Sequence, residues 1–308
     1  MCSVGLYKIL VLAIQRGIVV FPPRHPKKEF VAENPEVPIL GSYKHGAPDT
    51  FWDRFPVNKN ERGGSPFKID TSALREIVMS SDPSDVTLQL LEEVVKDIEN
   101  GCDLAILEGH KPTISVNAGS CGDRGKHITD MLASGVKSKI LLGPLDTKPA
   151  MATINSLQPA DKHNGTVRLI INQSSPKGRS INDFVDKKRY PCRMGGLKEV
   201  LIAVNYVGKG GKFAKCDWKA AYKHLGVKHS QLKYQYFSWL GKYFAELCLI
   251  FGCISSVGLY DRFARLIVTV CLKLEEYEHF LAVQHLDDFM MFGSKNDGRV
   301  EKLYKRYT

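Results

Sequence analysis

Two adjacent carboxylates, Asp287 and Asp288, interrupt the apolar stretch LAVQHLDDFMMFG at residues 281–293. The flanking residues have the composition of buried strands. An ionised carboxylate costs several kcal/mol to desolvate, and two neighbouring ones also repel each other. No lysine or arginine lies within the stretch to compensate them. In a straight strand consecutive side chains point to opposite faces, so both acids can serve one ligand only if the chain turns tightly between FLAVQHL and FMMFG. The pattern predicts a hairpin whose tip carries the pair and whose strands anchor it in a core.

Asp217 ends another apolar strand, KFAKCDW. If that strand lies beside the hairpin, three carboxylates converge, an all-oxygen donor set suited to Mg²⁺ or Mn²⁺. Two such ions about 3.5–4 Å apart clamp the attacking and leaving oxygens of a phosphoryl transfer. The competing reading is a solvated turn at 287–288, with Asp217 capping a helix over WKAAYKHL. Spacing alone leaves both open.

The 308 residues, 44% hydrophobic and 25% charged, have an ordinary globular composition, long enough for one large domain or two. A formal charge of +10 favours a polyanionic partner such as nucleic acid. Eight cysteines form no C-x-x-C pair and no zinc-spaced cluster, which points to reduced, buried thiols and an intracellular protein of cytoplasm or nucleus. The opening VGLYKILVLAI is broken by Lys8 and is too short to span a bilayer, so no membrane partner is expected.

Residues 1–65 read as an uncertain, extended lead-in rich in Pro, Gly and charge over 21–65. From Asp85, Leu88, Leu91, Val95 and Ile98 share one helical face, and Gly101 stands at the C-cap. GKHITDMLASGV predicts a second helix with Ile128, Met131 and Leu132 inward. TVRLIINQSSPKGRSINDFV reads as a strand, a polar turn and a second short extended piece. A helix over GGLKEVLIAVNYVG, the strand to Asp217, a hairpin turning at LGK and a helix near 257–278 follow. The order predicts an α+β fold, an antiparallel sheet with helices packed on one face.

Three segments, KCDWKAAYKHLGV, LIFGCISSVGLYDRF and VQHLDDFMMFG, resemble in order and spacing motifs A, B and C of the reverse transcriptase palm. GTVRLIINQSSPKGRSINDFV resembles the fingers strand and turn ahead of motif A, and SSPKGRSIND with FGCISS is most similar to the DIRS-type retrotransposons that carry a tyrosine recombinase. The resemblance covers roughly residues 85–295. It implies an N-terminal helical region and fingers over 66–205 and a palm over 206–308, incomplete because the chain stops soon after motif C, before any thumb.

The resemblance further implies an RNA-directed DNA polymerase that takes RNA or DNA template-primer and dNTP. Asp217, Asp287 and Asp288 would hold two Mg²⁺ or Mn²⁺ ions. Tyr222 matches the steric gate against a ribose 2′-hydroxyl, Arg168 the fingers arginine on the triphosphate, and Lys162 its companion. Phe251 and Gly252 match the pair beside the nucleotide sugar and template. The chain departs from the commoner family pattern at Ile250, Val257 and His285, none of them a metal ligand. A truncated remnant that binds nucleic acid without polymerising is the alternative. A third reading, an α+β domain whose paired aspartates serve an unrelated metal, predicts Tyr222 and Arg168 far from the carboxylates.

Overall fold

The structure, a computed structural model, describes residues 19–21, 69–161, 167–218 and 220–307. Two helices open the continuous part. Asp70 accepts hydrogen bonds from the amides of Ser72 and Ala73 and so caps α1 (Thr71–Ser80). Ser84 caps α2 (Asp85–Asn100), whose Leu91, Val94 and Val95 are buried. Gly101 ends that helix at φ 80°, and a Cβ there would lie 2.6 Å from the Lys228 nitrogen, so glycine is required on both counts. In α3 (Gly125–Lys137) the buried row is Ile128, Leu132 and Val136. Met131 is exposed, against expectation, because that i, i+4 row turns it outward.

A five-stranded sheet runs in the order β2 (Leu141–Leu145), β7 (Lys242–Glu246), β6 (Tyr236–Trp239), β3 (Ile154–Asp161) and β4 (Val167–Asn172). β6 and β7 form the hairpin expected at LGK, with Leu240 and Gly241 both at positive φ as a two-residue I′ turn requires. After β4 the expected second extended piece is reduced to Val185, which makes a single antiparallel bridge with Ile106. Residues Ile181–Asp183 form a 3₁₀ turn, because the Asp183 carboxylate accepts both the amide and the hydroxyl of Ser180 and closes the backbone locally.

The second sheet runs β1 (Val19–Phe21), β5 (Lys212–Asp217), β9 (Asp288–Gly293) and β8 (Ala282–His285). β5–β9 and β8–β9 are antiparallel, and β1 adds a parallel edge to β5 from within the segment expected to be an extended lead-in. α4 (Leu197–Val207) packs beside β8 and β9. α5 (Ile254–Leu274) is the long core helix, tied to α2 by Arg262, which pairs with Glu93 and Asp97. α6 (Arg299–Tyr307) seats Val300 where a Cβ on Gly293 would be, and Lys212 binds Glu301 at 2.7 Å. The fold is α+β, as expected.

Two apolar cores result. One gathers α2, α3, α5 and the five-stranded sheet, and the other gathers α4, the second sheet and the end of α5. Trp218, the residue after Asp217, packs against both. The described cysteines are free thiols, all buried except the half-buried Cys192. Among the described residues no helix is long and apolar enough to cross a membrane.

Candidate active site

β5 and β9 pair in continuous register from Lys212 opposite Gly293 to Asp217 opposite Asp288. Directly opposed residues share a face, with Cβ atoms about 4.5–5.5 Å apart. Asp217 and Asp288 therefore stand side by side although 71 positions separate them in the chain. Asp217 lies inside the strand, and the following 3₁₀ segment, Ala221–His224, is preceded by Ala220 at φ 55°. This removes the reading of Asp217 as a helix cap.

The predicted two-residue turn is present but displaced by one position, so the tip carries Asp287 while Asp288, expected beside it there, is the first residue of β9. His285 pairs with Asp288, which leaves only Leu286 and Asp287 at the tip. Leu286 sits at φ 56°, the sign demanded of the first central residue in a II′ turn and one that glycine usually supplies. The amide of Trp218 donates to the Asp287 carbonyl at 3.1 Å, so the hairpin tip is tied to the end of β5. His285 Nδ1 lies 2.8 Å from the Gly195 carbonyl, and the Gly195 amide donates to Gln284, which holds the outer edge of β8.

Charge is concentrated at this sheet end. Burial pushes the half-buried Asp287 carboxyl above its ordinary range, and the neighbouring Asp217 and Asp288 push it the same way. Tyr222 and Tyr260 are pushed up as well, first by burial and then by Asp287. The Tyr260 hydroxyl is fully buried beside these acids with no hydrogen-bond partner among the described residues. Among the described residues a positive group answers Asp288: Lys215 Nζ lies 2.8 Å from its carboxylate.

Oxygen donors with excess negative charge and an unpartnered buried hydroxyl fit a hard divalent cation. They do not form a finished cage. Among the described residues, no group of three His, Cys, Asp or Glu side chains converges closely enough to hold an ion. The expected convergence of three carboxylates is therefore met by the backbone and not by the side chains. Like charges repel, and Asp288 turns to Lys215 instead.

Beside the acids stands a ladder of rings. Tyr222, buried, meets Phe251 edge to face at 4.6 Å and Tyr260 at 5.4 Å. Phe251 is 52% exposed, and the Arg168 guanidinium on β4 lies over its ring at 4.8 Å. Arg168, Phe251 and Tyr222 thus form one continuous stack, with Tyr222 close enough to Asp287 to feel its charge. Tyr222 is thus near the carboxylates, and Arg168 is joined to them only through the two intervening rings. Lys162 lies outside the described residues, as does Lys219. Lys223 is committed to the buried Glu246 at 2.7 Å.

Gly252 has a role the sequence did not suggest. A Cβ at this position would lie 1.8 Å from the Ile171 carbonyl oxygen, so the close approach it permits is to β4. Asn182 completes the joint. Its side-chain amide donates to the Gly252 carbonyl at 2.7 Å and to Ser174 at 2.8 Å, and its oxygen accepts the Ile254 amide at 2.9 Å.

A scan against protein-family models and a search of the curated proteins found no match. Among solved structures the chain is similar to native prototype foamy virus protease-reverse transcriptase. The identity is 17% and the TM-score 0.46, over 78% of this chain and 31% of that one. A CSH mutant of the same viral protein gives 14%, 0.45, 77% and 31%. A foamy viral protease-reverse transcriptase dRH in complex with double-stranded DNA gives 14%, 0.47, 78% and 42%. The chain spans less than half the length of each.

Asn182, Lys215 and Tyr260 belong to this neighbourhood and were not singled out as site residues from the sequence. Asn182 carried one usable signal, a polar residue in a turn-rich tract. For Lys215 the signal was alternation: two residues before Asp217 on a strand, it had to share the face of that acid.

Proposed function

We propose that the chain is the polymerising core of an RNA-directed DNA polymerase of a retroelement, extending a primer 3′-hydroxyl from deoxynucleoside triphosphates on an RNA or DNA template. The observation that carries the reading is the pairing of Asp217 with Asp288, with Trp218 bonded to the Asp287 carbonyl. It assembles acids from two distant segments at one sheet end, next to a stack that ends in an exposed guanidinium.

Asp217 and Asp287, with Asp288, are the residues that would hold Mg²⁺ or Mn²⁺. When bound, such ions neutralise phosphate charge and lower the cost of forming an attacking alkoxide. The remaining roles belong to the protein. Arg168, whose planar guanidinium suits phosphate geometry, binds the triphosphate and stabilises charge developing on it. Phe251 supports the guanidinium from below. Tyr222, wedged between Phe251 and Tyr260, presents a fixed ring edge where a ribose 2′-hydroxyl would intrude. Gly252 and Asn182 fix the loop that carries Phe251. Template and primer are held mainly through phosphates and stacking, so binding weakens with salt.

Phe251→Ala is expected to raise the dNTP KM about three- to tenfold, from the loss of an exposed cation–π contact and one aromatic pair. kcat should change less. Phe251→Trp restores the ring face and should restore KM, which steady-state single-nucleotide incorporation would reveal.

The test of the function is primer extension with Mg²⁺ or Mn²⁺ on RNA and DNA templates. The chain is expected to incorporate dNTPs, and Asp217→Asn to lose incorporation while still binding the template-primer. Binding without incorporation by the unaltered chain would select the non-polymerising remnant.

A further inference from the structure

Lys215 sits two residues before Asp217 on the same face of β5, opposite Met290, and reaches diagonally to Asp288 on the neighbouring strand. The side chain of Lys215 is 35% exposed and that of Asp288 is 19% exposed, so the pair is shielded on the acid's side and open on the lysine's. A lysine ammonium is a compact point charge on a flexible stem, able to leave one carboxylate for water with little loss. An arginine fork would bind the same carboxylate through two parallel bonds and be slower to yield it.

We propose that Lys215 is the resident counter-ion of the acid cluster: its ammonium holds Asp288, and a divalent cation gains that carboxylate only by displacing it. This rests on reading the cluster as a cation site. The lysine then has two effects. It neutralises one of three crowded negative charges, which keeps the hairpin tip folded around Asp287 without an ion. It also weakens cation binding, because the ion must break an existing pair before Asp288 can reach it. Asp288 is therefore exchangeable between an internal and an external cation, whereas the Asp287 carbonyl is tethered to the Trp218 amide.

The experiment is Mn²⁺ binding to the full chain, read as loss of the free Mn²⁺ electron paramagnetic resonance signal, without nucleotide or template. Lys215→Met is expected to bind Mn²⁺ about two- to fivefold more tightly, the scale of a partly exposed ion pair. Lys215→Arg should show no gain. Asp288→Asn alone should change affinity less than about twofold, because that carboxylate is engaged by the lysine. In Lys215→Met/Asp288→Asn the gain should vanish. Lys215→Gln, which retains a polar end, serves as a second neutral variant should the methionine perturb the fold.

Unchanged or weaker binding in the folded neutral variants overturns the proposal, as does a gain that survives in the double variant, which would mark a general charge effect. Failure of every variant to bind Mn²⁺ removes both this proposal and the polymerase reading. The expected binding pattern in a chain that extends no primer overturns the polymerase reading alone.

Discussion

Asp287→Asn is expected to make the protein more stable and to abolish primer extension. The folded state holds the Asp287 proton more tightly than the unfolded chain does, because burial and the adjacent Asp217 and Asp288 raise its carboxyl. A raised carboxyl contributes stability that is present below the unfolded value, near 4, and is lost as pH rises through the folded value. At neutral pH the ionised group therefore works against the fold, and asparagine removes that opposition. Urea unfolding across the acid range should show a flatter pH dependence for the variant and a higher midpoint at pH 7. Incorporation should fall more than about a hundredfold, the upper end of what loss of even an outer-shell partner costs a metal site. A destabilised variant, or one that retains incorporation, would contradict the assignment. Groups kept for chemistry at the expense of the fold behave in this way.

Gly252→Ala should be among the most damaging single substitutions outside the acids. The added carbon would meet the Ile171 carbonyl oxygen at 1.8 Å, and that obstacle is backbone in β4, which no rotamer change can clear. The loop must lift away, breaking the Asn182 bonds to Gly252 and Ile254 and carrying Phe251 off Arg168. Overpacking of this severity costs about 3 kcal/mol or more, which lowers Tm by about 2–4 °C for each kcal/mol in a chain of this size. Gly119→Ala, at ordinary φ with no atom within 4 Å of its added carbon, is the control and should melt close to the unaltered protein. Equal melting of the two variants would mean that the loop does not seat on β4 as described.

Local pattern carried the elements, and long-range register carried the site. The helix over 85–100, its stop at Gly101, the strand ending at Asp217 and the hairpin at Leu240–Gly241 were legible because each depends on periodicity or turn chemistry within a few residues. The 3₁₀ turn at Ile181–Asp183 was not, since the Ser180–Asp183 bonds compete with extension through two side chains whose partnership sequence does not reveal. The sequence reads Met131 as inward because three apolar residues share an arc, and only the position of neighbouring elements decides which edge of that arc is covered. Nor could β1 be foreseen, as a three-residue parallel edge depends on a partner about 190 positions away.

At the acids the same division applies. Alternation along β5 and the doubled aspartate implied that carboxylates face a common space. That Asp288 meets Lys215 across the ladder, and that Gly252 clears Ile171 instead of a ligand, depended on which residues stand opposite one another. The resemblance to reverse transcriptase motifs gave these residues expected partners but did not give their internal ones.

Trp218 has a further consequence for how the molecule tolerates change. Because its indole is shared between both apolar cores and its amide clasps the hairpin tip, neither half can loosen without shifting the acids. Substitutions deep in either half, far from any ligand, should therefore reach the chemistry as small displacements of one tryptophan, making this position the funnel through which distant sequence drift is felt.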